Sequence, residues 1–250
     1  MTEYFAQAAK SRVEALNQLF NFQKEVVNCD SCSLHTSVKS PVPGQLVPHS
    51  DFLFVGLAPG RNGAEKTGIP FTKDKSGRLF RKMVSVIESE GYTVSVTNIV
   101  KCNPLNDLGN NRNPTPLEIS KCSIHLEREI RIVKPRMIII LGKVTEKFLN
   151  ISRTQVSNKG EVKSAIGGNI PTLTIFHPSA VANYHKKSES EYQILFSEII
   201  NVYRAIYNEG LDQRKLPIFS DGDCTNSNHE AGNLDEMKKM IEEVYWPFEG

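Results

Sequence analysis

The sequence predicts an α/β fold: three αβα layers around a central four-stranded, mostly parallel sheet. Two observations predict it. Short apolar runs recur at Phe52–Leu57, Val94–Val100, Met137–Leu141 and Pro171–Phe176. Segments of helical periodicity separate them, and crossovers of that kind join parallel strands. Strands that alternate with helices in this way imply a parallel sheet covered on both faces.

The helices follow in order. Residues 3–28 bring Phe5, Val13, Leu16, Leu19, Phe20 and Val27 near helical spacing. Lys75–Glu90 carries Leu79, Met83, Val86 and Ile87, with Gly91 placed to end it. Thr115 is a natural N-cap, Pro116 fits the first helical position and Glu118 the first turn. A short helix follows Gly142 to Leu149, and a final one spans Glu191–Tyr207. The polar stretch 152–170 suits a hairpin; Asp235–Val244 suits a further helix, with Trp246 beyond it. No internal repeat is present.

Of the 250 residues, 39% are hydrophobic and 23% charged, enough apolar material for a folded core. No run approaches the ~20 apolar residues a membrane helix needs. The opening MTEYFAQAAKSR lacks a signal-peptide layout, so a cytoplasmic protein is expected. Residues 1–210 are expected to form one catalytic domain and 211–250 an acidic, partly ordered extension. The net charge of +2 divides into −6 over residues 216–250 and +8 over the rest. A basic body of this kind fits a polyanion partner.

Cys29 and Cys32 form a C-x-x-C pair, and Cys102 and Cys122 lie in a loop and near a helix start. Four thiolates so placed suit either a 4Fe-4S cluster or a zinc ion. Buried free cysteines are the plainer alternative. Cys224, among Asp, Gly, Asn and Ser, stands apart.

In parallel α/β folds ligands bind beyond the carboxyl ends of strands. Three such ends are rich in polar and permissive residues: GLAPGRNGAEKTGIPFTKDKSG after the first strand, Asn98 and Lys101 after the second, and His177-Pro178-Ser179 after the fourth. The glycines of the first stretch suit a loop that wraps a ligand closely.

These stretches, with TNIVKCNP, NPTP-x-EI-x-x-C, I-x-LG, FHPSAVAN and the early C-x-x-C, resemble the iron–sulfur uracil-DNA glycosylases over about residues 25–205. Leu57, where family 4 has an acidic residue, and the G-x-x-x-x-T-G-x-P-F-T-x-D tract place family 5 first and family 4 next. The interval from Cys102 to Cys122 is longer than family 4 usually shows, which suggests an insertion around Asn106–Asn111.

The resemblance implies a 4Fe-4S cluster on Cys29, Cys32, Cys102 and Cys122. It implies hydrolysis of the N-glycosidic bond of deoxyuridine in DNA, or of other deaminated bases, after base extrusion and without strand cleavage. Asn98 is then the base reader, offering uracil a donor and an acceptor. Phe71 stacks on the base, although core packing would equally explain it. His177 donates to uracil O2 as charge builds there, helped by backbone N–H groups around Gly56, Leu57 and Ala58. Asp74 positions water or stabilises the sugar cation, ahead of Glu65, and would also suit the N-cap of the Lys75 helix. Ser179, Ala180 and Val181 resemble a loop that enters the minor groove. Lys101, Lys186 and Lys187 are expected on phosphates, with Arg61, Lys66, Lys73, Lys75 and His185 on the same edge. The expected partner is uracil-containing DNA, with no membrane, and the chain is read as a monomer. Two other classes keep some of these features: a non-catalytic iron–sulfur DNA-binding or redox-sensing module, and a zinc-stabilised nucleotide-binding protein.

Overall fold

The computed structural model describes residues 2–38, 40–149, 170–182 and 188–207. The expected 152–170 hairpin and the 211–250 extension lie outside the described residues, apart from Ile170.

Strands β1 (Phe52–Gly56), β2 (Val94–Asn98), β3 (Met137–Leu141) and β4 (Thr172–Ile175) form one sheet in the order β2-β1-β3-β4. All three pairings are parallel, so "mostly parallel" becomes wholly parallel within these strands. β2 ends earlier than expected. The N–H groups of Ile99 and Val100 turn to donate to the carbonyls of Gly56 and Leu57.

The order of helices is α1 (Thr2–Val27), α2 (Ala64–Thr67), α3 (Lys75–Ser89), α4 (Pro116–Val133), α5 (Lys143–Phe148), α6 (Ser179–Ala182) and α7 (Glu189–Tyr207). Successive β1 side chains face opposite layers. Phe52 and Phe54 join the core beneath α3 and α7, where Phe54 stacks on Phe196 at 5.5 Å and meets Phe80 edge-on at 5.4 Å. Leu53 and Val55 join the opposite core, with Ile119, Leu126 and Ile130 of α4. Burying each of these rings contributes about 2–3 kcal/mol. Both faces of the central strands are covered, which is why β1 and β3 read as unbroken apolar runs.

Local chemistry sets the helix starts. Thr115 accepts from Glu118 N while the Glu118 carboxylate accepts from Thr115 N, a complete capping box with Pro116 inside it. Arg112 adds a two-pronged ion pair to Glu118 at 2.7 and 2.8 Å, which fixes the loop before α4. Asp74 caps α3, its Oδ1 accepting from Gly77 N at 2.6 Å. Among the described residues no helix is long and apolar enough to cross a membrane.

Candidate active site at the strand ends

Gly56, the last residue of β1, is in register with Asn98, the last of β2. A Cβ at position 56 would lie 2.4 Å from Asn98 Oδ1 and 2.6 Å from Phe71 Cζ. Only glycine lets the amide and the ring close over this strand end. The Phe71 ring centroid stands 5.6 Å from that of His177, which follows β4. Gly142, after β3, completes the set: its φ is 93°, and a Cβ on it would meet His177 Cβ at 3.1 Å. The structure therefore brings Asn98, Phe71 and His177 together.

Asn98 is 2% exposed, yet its Oδ1 has no hydrogen-bond partner among the described residues. A buried acceptor left so costs about 1–3 kcal/mol, a cost that a donor on a bound ring would remove. Its backbone is held from below. Lys101 Nζ donates to Asn98 O at 2.7 Å, to Thr97 Oγ1 at 2.8 Å and to Glu129 Oε2 at 2.6 Å. Glu129 also accepts from Thr97 Oγ1 at 2.7 Å and from Gly44 N at 3.3 Å. Lys101, expected on a phosphate, is thus corrected: it is 1% exposed and paired with a fully buried carboxylate.

Phe71 adopts a φ of 51°, a left-handed conformation that costs a residue with a side chain about 1–3 kcal/mol. The half-buried ring also packs on Phe80 at 4.7 Å, so the core-packing reading is realised at least in part.

His177 Nδ1 accepts from the Ser179 backbone N–H at 3.2 Å and lies 2.8 Å from Ser179 Oγ. An amide N–H only donates, so Nδ1 carries no proton and Nε2 does. Burial pushes the His177 pKa down to about 4, so the neutral ring presents one N–H donor at Nε2. Ser179 thereby fixes the tautomer.

Asp74 is half-buried at the α3 N-cap, and its Oδ2 is packed against the Gly60–Gly63 turn. A Cβ on Gly63 would lie 2.7 Å from that oxygen, and one on Gly60 3.4 Å. The capping reading is therefore realised through Oδ1, while Oδ2 stays at the loop edge. Glu65 is engaged elsewhere, accepting from Asn103 Nδ2 at 2.7 Å. Leu57 and Ala58 are half-buried beyond β1. Ala180 is half-buried on α6, but Val181 is 8% exposed and belongs to the α3/α7 core, so it is not free to fill a groove. Arg61, Lys66, Lys73 and Lys75 are exposed. His185, Lys186 and Lys187 lie outside the described residues.

The four cysteines line one hollow between the end of α1, the loop after β2 and α4. Its volume is about 10 Å³, scarcely room for one water. Its sulfurs already have polar neighbours: Lys101 N donates to Cys122 Sγ at 3.2 Å, Cys29 Sγ lies 3.4 Å from Ser31 Oγ, and His125 Nε2 is 3.3 Å from Cys29 Sγ. Burial pushes the Cys102 thiol up to about 12 and the Cys122 thiol to about 11, which favours the protonated form. Among the described residues no group of three or more His, Cys, Asp or Glu is arranged to hold a metal ion. The expectation of a 4Fe-4S cluster is corrected accordingly; the cysteines as placed form a packed knot. A hollow of about 720 Å³ beside α4 and α5 has none of the strand-end residues in its walls.

A buried amide, an aromatic ring and an imidazole thus meet at the ends of parallel strands in an α/β protein, where ligands of such folds bind. A family model described as the uracil DNA glycosylase superfamily matches residues 43–200. The chain belongs to that superfamily. It is 31% identical over 191 residues to a Type-4 uracil-DNA glycosylase of Archaeoglobus fulgidus, covering 74% of this chain and 92% of the relative. It is 34% identical over 173 residues to the Type-4 enzyme of Sulfurisphaera tokodaii, covering 66% and 76%. A Type-5 uracil-DNA glycosylase of Pyrobaculum aerophilum is 31% identical over 191 residues, covering 64% and 81%. The placement of family 5 first is thereby corrected: the two Type-4 enzymes align with 74% and 66% of the chain, against 64% for the Type-5 enzyme, at equal or higher identity. Leu57 and the tract after it do not outweigh those alignments.

Sequence reasoning missed Glu129, Arg81 and Gly77. Glu129 was legible in principle, since it falls between Leu126 and Ile130 on the apolar face of α4. Arg81 gave no signal, because what it contacts is the backbone of a turn; Gly77 closes the glycine-rich stretch, but what approaches it is that same turn rather than a ligand.

Proposed function

We propose that this chain is a uracil-DNA glycosylase that hydrolyses the N-glycosidic bond of an extruded base at the strand ends. The observation that carries the reading is Asn98 Oδ1, buried and unpartnered beside the Phe71 ring, with the His177 imidazole 5.6 Å from that ring.

A uracil held against Phe71 finds in Asn98 an acceptor for N3–H and a donor for O4. Cytosine offers neither match, having an unprotonated N3 and an exocyclic amine. As the C1′–N1 bond breaks, its electron pair passes into the uracil ring, and charge gathers on O2. The Nε2–H of neutral His177 donates to that oxygen. Asp74 Oδ2 stabilises the cationic sugar and orients the water whose oxygen bonds C1′; a water proton is released. Lys101 is no covalent nucleophile, since its ammonium is fully engaged with Glu129, Thr97 and Asn98. The product is an abasic site in an intact strand. Exposed Arg61, Lys66, Lys73 and Lys75 meet phosphates, giving salt-dependent affinity without sequence choice.

The test is base release from a uracil oligonucleotide, with hypoxanthine, xanthine and thymine opposite guanine as comparisons. Free uracil and an alkali-labile, otherwise uncut strand are expected. DNA that is bound with no base released would overturn the reading in favour of a non-catalytic binding module.

A further inference from the structure

Phe71 is held by its backbone as well as by the packing of its ring on Phe80. Arg81, one and a half turns into α3, donates from Nε to Phe71 O at 3.1 Å and from Nη2 to Pro70 O at 2.6 Å. A second arginine of the same helix, Arg78, donates to Lys73 O, and the Asp74 N–H donates to Thr72 O at 2.9 Å. The turn approaches α3 closely because position 77 is glycine: a Cβ there would lie 2.7 Å from Thr72 N and 2.8 Å from Phe71 C. Phe71 and Lys73 both have positive φ, 51° and 70°, so the turn would relax if released. Among the described residues no carboxylate pairs with Arg81. Burial lowers its pKa, although an arginine stays charged throughout the working range. A half-buried guanidinium directed at two neutral carbonyls is an unusual placement unless the geometry of those carbonyls matters.

We infer that Arg81 is a positioning residue that fixes the strained turn of residues 70–73 so that the Phe71 ring stays beside Asn98 as a platform for the base. The inference rests on the glycosylase reading for its kinetic consequence, but the clamp itself can be read without activity. Two donors from one planar group hold successive carbonyls at a fixed spacing, which a lysine ammonium cannot reproduce. Loss of the clamp lowers kcat, because the extruded base meets a misplaced ring. KM changes little, since phosphate contacts dominate the affinity of the unextruded complex.

The experiment is a double-mutant cycle of Arg81→Met and Phe71→Ala, scored by single-turnover uracil release. Arg81→Lys serves as the second variant should the methionine form fold poorly. In parallel, a fluorine label is placed on the Phe71 ring and read by NMR in the wild-type and both Arg81 variants. Arg81→Met is expected to lower kcat about 10- to 30-fold with KM within about twofold, and to cost less than about twofold in the Phe71→Ala background. Arg81→Lys should recover only part of the loss. The fluorine line should shift and broaden in the methionine variant. An unmoved line, or an undiminished loss in the Phe71→Ala background, would overturn the clamp. A wild-type protein that releases no uracil while the line still moves would instead remove the glycosylase reading and leave the clamp standing.

Discussion

The strand-end cluster and the cysteine knot are both gathered from distant parts of the chain, and both hold buried polar atoms. In the knot the sulfurs are engaged: Cys122 Sγ accepts from Lys101 N, Cys29 Sγ has Ser31 and His125 as neighbours, and the hollow the cysteines line is about 10 Å³. Engagement alone does not separate the two regions, because among the described residues His125 Nδ1 beside the knot is buried without a partner, as Asn98 Oδ1 is at the strand ends. Position separates them as well. Asn98, the Phe71 ring and the His177 ring meet beyond the carboxyl ends of parallel strands, where ligands of such folds bind. Neither convergence nor one unsatisfied atom is enough by itself to mark a site.

Lys101 tests the engaged side of this contrast and should give the largest effect. Lys101→Met leaves Glu129 buried without its countercharge and should cost about 3–5 kcal/mol in urea unfolding. The slope of DNA affinity against salt should stay unchanged, because the ammonium reaches no phosphate. A shallower slope with full stability would restore the phosphate contact first expected of it.

Asp74 stands between the two sides, with Oδ1 engaged and Oδ2 at the loop edge. Asp74→Asn keeps an oxygen for the Gly77 N–H, so the α3 cap and the melting temperature should hardly move. Uracil release should fall by about 10²–10³ if the charge stabilises the sugar cation. Near-normal release would remove Asp74 from the chemistry and leave it a cap.

Asn98 tests the unengaged side. Asn98→Asp places a carboxyl group at a buried position and should cost about 1–3 kcal/mol of stability, while it narrows the preference for uracil over cytosine about tenfold or more, because the amide donor is lost. A large loss of stability with an unchanged base preference would mean that Asn98 is a packing residue, and the contrast with the knot would collapse.

The contrast also marks where sequence reading worked. The four apolar runs, the Thr115–Glu118 start of α4 and the ending of α3 before Gly91 were legible because each depends on neighbours a few residues apart. Asp74 was legible as the cap of α3 for the same reason. Lys101 was not: a lysine in a polar loop is ordinarily exposed, and its partner Glu129 lies 28 residues on, on a helix face otherwise made of Leu126, Ile130 and Val133. Val181 failed similarly, since only the packing of α6 against the α3/α7 core shows that it is buried. Four cysteines in loops suggested a metal, and the closeness of the sulfurs was right. What the spacing could not reveal was how little room lies between them.

The smallest expected effect concerns His177 and pH. Its imidazole ordinarily titrates near 6.5, and burial lowers this to about 4. Between those values the unfolded chain binds a proton that the folded chain refuses. This group's contribution is therefore full above pH 6.5, declines as pH falls toward 4, and is constant below. Catalysis should not follow the same curve. The neutral ring keeps its Nε2–H donor throughout that window, so single-turnover release should stay flat in its His177 dependence from about pH 8 to about pH 5. Below about pH 4 Nδ1 would gain a proton facing the Ser179 N–H, two donors aimed at each other, and the ring would turn. Nitrogen-15 shifts of the His177 ring against pH check both statements. Titration near 6.5 would show that the imidazole is open to water, and the strand ends would then lack the dry, oriented donor that separates them from the cysteine knot.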